Sequence, residues 1–121
     1  MLKRFALPEC PVEMTLLLMG DRWKILIIRD LLTGIKRFGE LKKSLDNISQ
    51  KTLTNHLRIM EENGLINRKI YAEVPLKVEY SLTDLGKSLK PILDHMYKWG
   101  EKYKKNMALD HHLHKGDDVN L

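Results

Sequence analysis

The stretch Gln50-Lys51-Thr52-Leu53-Thr54-Asn55-His56-Leu57-Arg58 is dense in side chains suited to gripping an anion or a base edge. On a helix turning about 100° per residue, Leu53, Leu57 and Met60 fall on one narrow arc, and Lys51, Asn55, Arg58 and Glu62 on the opposite one. Gln50, Thr52, Thr54 and His56 flank the polar arc. Arginine matches guanine bidentately, asparagine and glutamine match adenine, and hydroxyls and cations take phosphate oxygens. A surface helix of any function also carries a polar outer face, so nucleic-acid reading and plain solvation both fit this arc taken alone.

The elements that must position the arc shift that balance. Ser49 is a good N-cap and Gly64 sits where a left-handed residue closes a helix, which predicts a helix from Gln50 to Asn63. Upstream, Phe38, Leu41 and Leu45 predict a short helix with Lys36, Arg37, Lys42 and Lys43 interleaved, and Asp46 and Asn47 supply a turn. A short helix, a tight turn and a capped second helix is the layout of helix-turn-helix modules, whose second helix enters the major groove of DNA. On that layout Arg37, Ser49, Gln50, Lys51, Thr52, Thr54, Asn55 and Arg58 are candidate DNA-binding residues.

Two helices precede the module. Pro11 suits the first position of a helix that Gly20 ends, and Asp21 offers the N-cap of a second running to Gly34. The second is apolar nearly all round, so it is read as the central core helix. Downstream, Leu65 to Tyr71 and Val78 to Leu82 alternate as a hairpin, with Lys69 and Lys77 near its tip. These lysines fit phosphate contacts, and equally the charges that keep an edge strand from aggregating. Thr83 is expected to cap a long last helix reaching about Met107. In it Leu85, Leu89, Ile92, Met96, Trp99 and Tyr103 are spaced 4, 3, 4, 3, 4, a heptad seam interrupted by Pro91. Leu89, Ile92, Met96, Trp99 and Tyr103, with Leu16 and Met19 of the first helix, are candidate dimer-interface residues. The expected fold class is α+β, mainly α: a winged helix-turn-helix with a two-stranded β wing and N- and C-terminal dimerisation helices.

Composition agrees. With 121 residues, 43% hydrophobic and 31% charged, the chain suits one compact domain, expected over residues 1–109, followed by a flexible tail over 110–121. The net charge is +5, and Asp110, Asp117 and Asp118 against Lys115 make the tail acidic, so the basic excess belongs to the domain. One cysteine, Cys10, excludes an internal disulfide and a cysteine-based zinc site. His111, His112 and His114 read as a solvated tail, so no metal or cofactor is expected. No apolar run suits a membrane span or a signal peptide, which points to the cytoplasm. The absence of a phosphate-binding glycine loop, a nucleophile elbow and clustered carboxylates argues against an enzyme.

A family resemblance rests on a series of segments in order. They are Cys10-Pro11-Val12-Glu13, Gly20-Asp21-Arg22-Trp23-Lys24, Arg37-Phe38-Gly39-Glu40-Leu41, Ile48-Ser49-Gln50-Lys51-Thr52-Leu53-Thr54, Leu57-Arg58, Glu61-Glu62-Asn63-Gly64-Leu65-Ile66 and Val78-Glu79-Tyr80-Ser81-Leu82-Thr83. From Cys10 to Gly100 the chain resembles the HxlR family of bacterial winged helix-turn-helix regulators, related more distantly to MarR-type proteins. The resemblance implies a homodimer that binds double-stranded DNA at a pseudo-palindromic operator through the Gln50 to Asn63 helix and the 66–82 wing. Nothing carries over to the tail after Met107, and no effector is legible.

Cys10 precedes Pro11 at the start of a helix, where free N–H groups and the dipole favour a thiolate. In several members of that family a cysteine in this place senses oxidants or electrophiles, and the resemblance extends that role to Cys10. The other reading of Cys10 is a small residue without chemistry. A winged domain used for protein contacts without DNA is the alternative function.

Overall fold

In the computed structural model, the backbone is described for residues 7–113 and side chains for residues 7–108. Ser88 closes a first compact unit and Leu89 opens a second. The first unit holds α1 (Pro11–Met19), α2 (Arg22–Leu31), β1 (Lys36–Arg37), α3 (Phe38–Ser44), α4 (Gln50–Glu62), β2 (Ile66–Tyr71), β3 (Lys77–Leu82) and α5 (Asp84–Lys87). The second contains α6 (Lys90–Leu113).

Pro11 stands at the start of α1, and Gly20 ends it by turning so tightly that a Cβ there would meet the Leu16 carbonyl oxygen. Asp21 caps α2, its Oδ1 accepting from the amides of Trp23 (2.8 Å) and Lys24 (2.9 Å). Helix α2 stops at Leu31 rather than at Gly34, because the amides of Thr33 and Gly34 fold back onto the carbonyls of Asp30 and Leu31. Its burial is also one-sided: Ile27, Ile28, Asp30 and Leu31 are inside, whereas Arg22 and Arg29 lie in solvent. The buried Asp30 carboxylate receives both Nε and Nη2 of Arg29 through Oδ1.

Lys36 and Arg37, expected among the residues of the third helix, instead form a two-residue strand. The sheet has the order β1-β3-β2, all antiparallel, so the hairpin wing gains a third strand on its β3 edge. The Arg37 amide then donates to Glu40 Oε1 (2.9 Å) to open α3. The turn into α4 uses Asn47 at φ 72°, a left-handed conformation that asparagine tolerates.

The core is continuous from Ile27, Ile28 and Leu31 through Leu41, Leu45 and Ile48 to Leu53, Leu57 and Met60, closing on Leu65, Ile66 and Leu82. Burying a side chain of this size contributes roughly 1.5–3 kcal/mol, so the α4 stripe fixes the rotation of that helix. Its ends are fixed as firmly. Ser49 Oγ accepts from the Thr52 amide (3.0 Å) at one end. At the other, Gly64 at φ 78° lets its own amide reach Glu61 O (3.0 Å) and the Leu65 amide reach Met60 O (3.0 Å). This is a Schellman closure with the accompanying Met60 and Leu65 apolar pair.

Thr83 caps a helix as expected, but that helix is the short α5, not the long last one. Its Oγ1 accepts from the Gly86 amide (3.0 Å), and the chain breaks at Ser88 and Leu89 before α6 begins at Lys90. Pro91 supplies the reason, since it lacks the N–H and crowds the carbonyl four residues back. Helix α6 continues to Leu113, past the end expected at about Met107; His114 and the rest of the tail lie outside the described residues, as do the side chains of His111 and His112.

Replacing Gly64 with alanine forces a side chain into left-handed backbone. Urea unfolding of Gly64→Ala is expected to show a loss of about 1–2 kcal/mol with an unchanged denaturant slope. An unaltered midpoint would show that the closure does not require glycine.

Candidate nucleic-acid interface

With Leu53, Leu57 and Met60 held inside, α4 turns Gln50, Lys51, Thr54, Asn55 and Arg58 to solvent. Two of the candidates, Ser49 and Thr52, are bonded to each other. Ser49 Oγ donates to Thr52 Oγ1 (2.8 Å) while accepting from the Thr52 amide, so this pair serves the helix cap, and Thr52 is half-buried. Arg58 makes no hydrogen bond or ion pair with another described residue, which leaves its guanidinium available to a ligand.

In the sequence His56 stands only as a residue flanking the polar arc. In the structure it is half-buried, its Nδ1 2.8 Å from Thr52 O and its Nε2 3.0 Å from Asp21 Oδ2. Both partners are acceptors, so the ring engages the two together only with a proton on each nitrogen. Asp21 adopts φ 112°, rare for a side-chain-bearing residue, and is held there by the two α2 amides and this ring from α4. Burial pulls the Asp21 carboxyl upward, but the Lys24 amide, the hydrogen bond and charge of His56, and the Trp23 amide outweigh it and hold it below the ordinary range.

The wing separates its cations between two faces. Antiparallel register places Arg37 opposite Glu79, Glu79 opposite Lys69, and Tyr71 opposite Lys77. Paired residues share a face, so these five side chains gather on one side of the sheet. The Tyr71 hydroxyl donates to Glu79 Oε1 (2.8 Å), Lys77 Nζ lies 3.6 Å from Glu79 Oε2, and the ammonium groups of Lys69 and Lys77 sit 4.9 and 4.7 Å from the Tyr71 ring centroid. The sheet thus brings together Arg37, Lys69 and Lys77, far apart in sequence, around one carboxylate and one ring. The Tyr71 hydroxyl, followed by the charges of Lys77 and Arg37, holds the Glu79 carboxyl below its ordinary value against partial desolvation.

The opposite face carries the buried Ile66 and Leu82, and β2 packs there against α4. Arg68 shares this face with them, beyond the last buried rung, and its Nε lies 3.4 Å from Glu61 Oε1 of α4. Arg68, Arg58, Thr54, Tyr80, Leu57 and Glu61 line a cleft of about 170 Å³ between helix and wing. Arg68 is not among the candidates that the sequence offers, because it alternates with Ile66 and Ile70. The available signal was that a charged residue alternating with Ile66 and Ile70 cannot be core, and has to emerge beside whatever the sheet covers.

The remaining candidates are on or beside α1 and on α6. Cys10 is exposed and is the N-cap residue of α1. Met19 is buried in its own unit, whereas Val12 and Leu16 on α1 are 67% and 60% exposed. On α6, Ile92, Met96 and Trp99 are exposed, Leu89 and Tyr103 half-buried, and Trp99 stacks on Tyr103 (centroids 5.4 Å apart, planes within 10°). Among the described residues no helix is long and apolar enough to cross a membrane, and no three His, Cys, Asp or Glu side chains gather as a metal set.

The chain is similar to known proteins. The family model described as HxlR-like helix-turn-helix matches residues 18–108. The HTH-type transcriptional regulator YdeP of Bacillus subtilis (strain 168) is 45% identical over 109 residues, covering 90% of this chain and 85% of its own. Among solved structures, the redox regulator HypR in its oxidized form is 44% identical with a TM-score of 0.73, covering 77% of this chain and 96% of its own. Diamide-treated YodB from B. subtilis is 38% identical with a TM-score of 0.65, covering 78% of this chain and 94% of its own.

Asp21 and Glu79 both have folded-state pKa values below the ordinary carboxylate range, so each adds stability that is complete above about pH 4 and is lost as pH falls through the lowered value. The double variant Asp21→Asn, Glu79→Gln keeps side chains of the same shape but cannot titrate. Followed by urea unfolding from neutral pH into acid, it should be less stable than the natural chain at neutrality and lose less on acidification. Parallel decline of the two proteins would show that these carboxylates are not coupled to folding.

Proposed function

The chain belongs to the HxlR-like helix-turn-helix family, and from that premise we infer that it is a transcriptional regulator that binds double-stranded DNA through α4 and the β2–β3 wing. The carrying observation is the two-faced α4: an apolar stripe anchors it, and Lys51, Asn55 and Arg58 project together from the other side. Amide, hydroxyl and guanidinium groups on one exposed arc match base edges and phosphates, and few other ligands need that mixture. The wing adds Arg37, Lys69 and Lys77 as candidate phosphate contacts. A winged module that binds only proteins has no use for this set.

The protein acts as a homodimer on a pseudo-palindromic operator. Support comes from the apolar side chains left in solvent, Val12 and Leu16 on α1 and the heptad residues Ile92, Met96 and Trp99 on α6, which a second copy can cover. Two-fold symmetry then sets the half-sites roughly 34 Å, one helical turn, apart. The working compartment is the cytoplasm, where DNA is.

Cys10 is the redox handle of the regulator. It is exposed at the start of α1, and the similar proteins HypR and YodB are a redox regulator and a protein treated with diamide. As the one cysteine in the chain, Cys10 has to pair with Cys10 of a second copy or with a small thiol. With diamide, one thiolate adds across the N=N bond, the second displaces it to form S–S, and the hydrazine departs with two electrons and two protons.

Binding to a duplex pool of randomised sequence should be measurable at low salt, and log affinity should fall with log salt by about 0.9 for each phosphate neutralised. No binding at low salt would sink the DNA reading. Separately, sedimentation at micromolar concentration should give a dimer of the 14.2 kDa chain. Diamide should change the DNA affinity of the natural protein and leave Cys10→Ser unaffected; equal responses would remove the sensor.

A further inference from the structure

A helix in the major groove and a wing in the adjacent minor groove have a sugar–phosphate strand running between them. In this chain the space between those two elements is the cleft of about 170 Å³ lined by Thr54, Leu57, Arg58, Glu61, Arg68 and Tyr80. We propose that this cleft seats one backbone phosphate of the duplex, gripped by Arg58 and Arg68 and hydrogen-bonded by the hydroxyls of Thr54 and Tyr80. The proposal rests on the reading that α4 and the wing bind DNA, and it assigns Arg58 to a phosphate rather than to a guanine.

Four observations carry it. The cleft contains two guanidiniums against one carboxylate, so its net charge suits a singly charged phosphodiester. The carboxylate is already engaged, because Glu61 Oε1 holds the Nε edge of Arg68 at 3.4 Å; the terminal amino groups of that guanidinium remain to meet a ligand. Arg58 has no partner among the described residues, although it stands at the same opening. Burial, opposed by Arg68 and reinforced by Glu61, pushes the Tyr80 hydroxyl above its ordinary value, which keeps it a neutral donor toward an anion. Arg68 is therefore a positioned cation: Glu61 ties it to the reading helix, so helix and wing present their arginines to one oxyanion.

Counterion release distinguishes this seat from base reading. In the randomised duplex pool, Arg58→Gln and Arg68→Gln should each weaken binding about tenfold whatever the sequence, with the double variant losing less than the product of the two. The double variant removes one seat from each protomer, so it should also lower the salt slope of the dimer by about 1.8, twice the value for one phosphate. On the sequence selected from that pool, neutral methylphosphonate linkages placed one at a time should weaken the natural protein at one linkage per half-site. The double variant should be indifferent there. Arg58→Lys keeps a charge without disturbing the Glu61 pair, so it should retain most of the salt slope even if Arg68→Gln proves unstable.

Relaxed preference at a single base pair in Arg58→Gln, with an unchanged slope, would overturn the seat and return Arg58 to base reading. A slope unchanged in the double variant would also overturn it, while leaving DNA binding intact. Absence of duplex binding by the natural protein at low salt would overturn the seat and the DNA reading together.

Discussion

The burial of Leu53, Leu57 and Met60 is the constraint from which the rest of the reading surface follows. A helix with three large apolar side chains on one arc has only one rotation that removes them from water, and that rotation decides which polar residues point outward. The Ser49 cap and the Gly64 closure then set where the helix begins and ends. Thr83 transmits the same alignment to the wing: its hydroxyl donates to Gly64 O at 2.6 Å, and its amide donates to Leu65 O at 3.0 Å. The end of α4, the start of β2 and the end of β3 are thereby tied at one point. Gly86 is required beside it, since a Cβ there would meet the Leu65 carbonyl oxygen.

Acidic residues have an organising part in this basic surface. Glu79 gathers Arg37, Lys69 and Lys77 with the help of Tyr71, Glu61 steadies Arg68, and Asp21 anchors His56. A free lysine or arginine surrenders about 2 kcal/mol of rotamer entropy when a ligand immobilises it. Tethers that restrict these side chains beforehand reduce that loss on binding. The surface consequently carries fewer net charges than its count of cations suggests, but they are better placed.

Local signals in the sequence translated well into structure. Ser49, Gly64 and the spacing of the apolar residues between them delimit α4 to within a residue, because caps and periodicity are properties of neighbouring side chains. What depended on distant partners was hidden. A two-residue strand has no periodicity, so β1 emerges only once β3 lies beside it. Asp21 was recognisable as a cap, yet its second partner, His56, is brought to it by the packing of α2 on α4. Arg68 was masked by its own alternation with isoleucines. The long final helix was overextended toward its N-terminus because the Thr83 cap is sound, and the heptad spacing continues unbroken across a proline that interrupts the backbone. The helix ends aside, each omission concerns a contact between residues separated by a turn of the fold rather than a turn of a helix.

Strand β1 has a consequence for how the domain comes apart. Its two residues pair with Tyr80 and Glu79, closing a long loop of chain in return for a very short ladder. The entropy of loop closure rises with the length enclosed, whereas the return rises with the bonds made. Of the two strand pairings in the first unit this is the shorter, so it is the one expected to fray first while the core of α2 and α4 stays shut. Fraying there would free the backbone of Arg37, whose amide opens α3, while Leu41 keeps α3 in the core and α4 is unchanged.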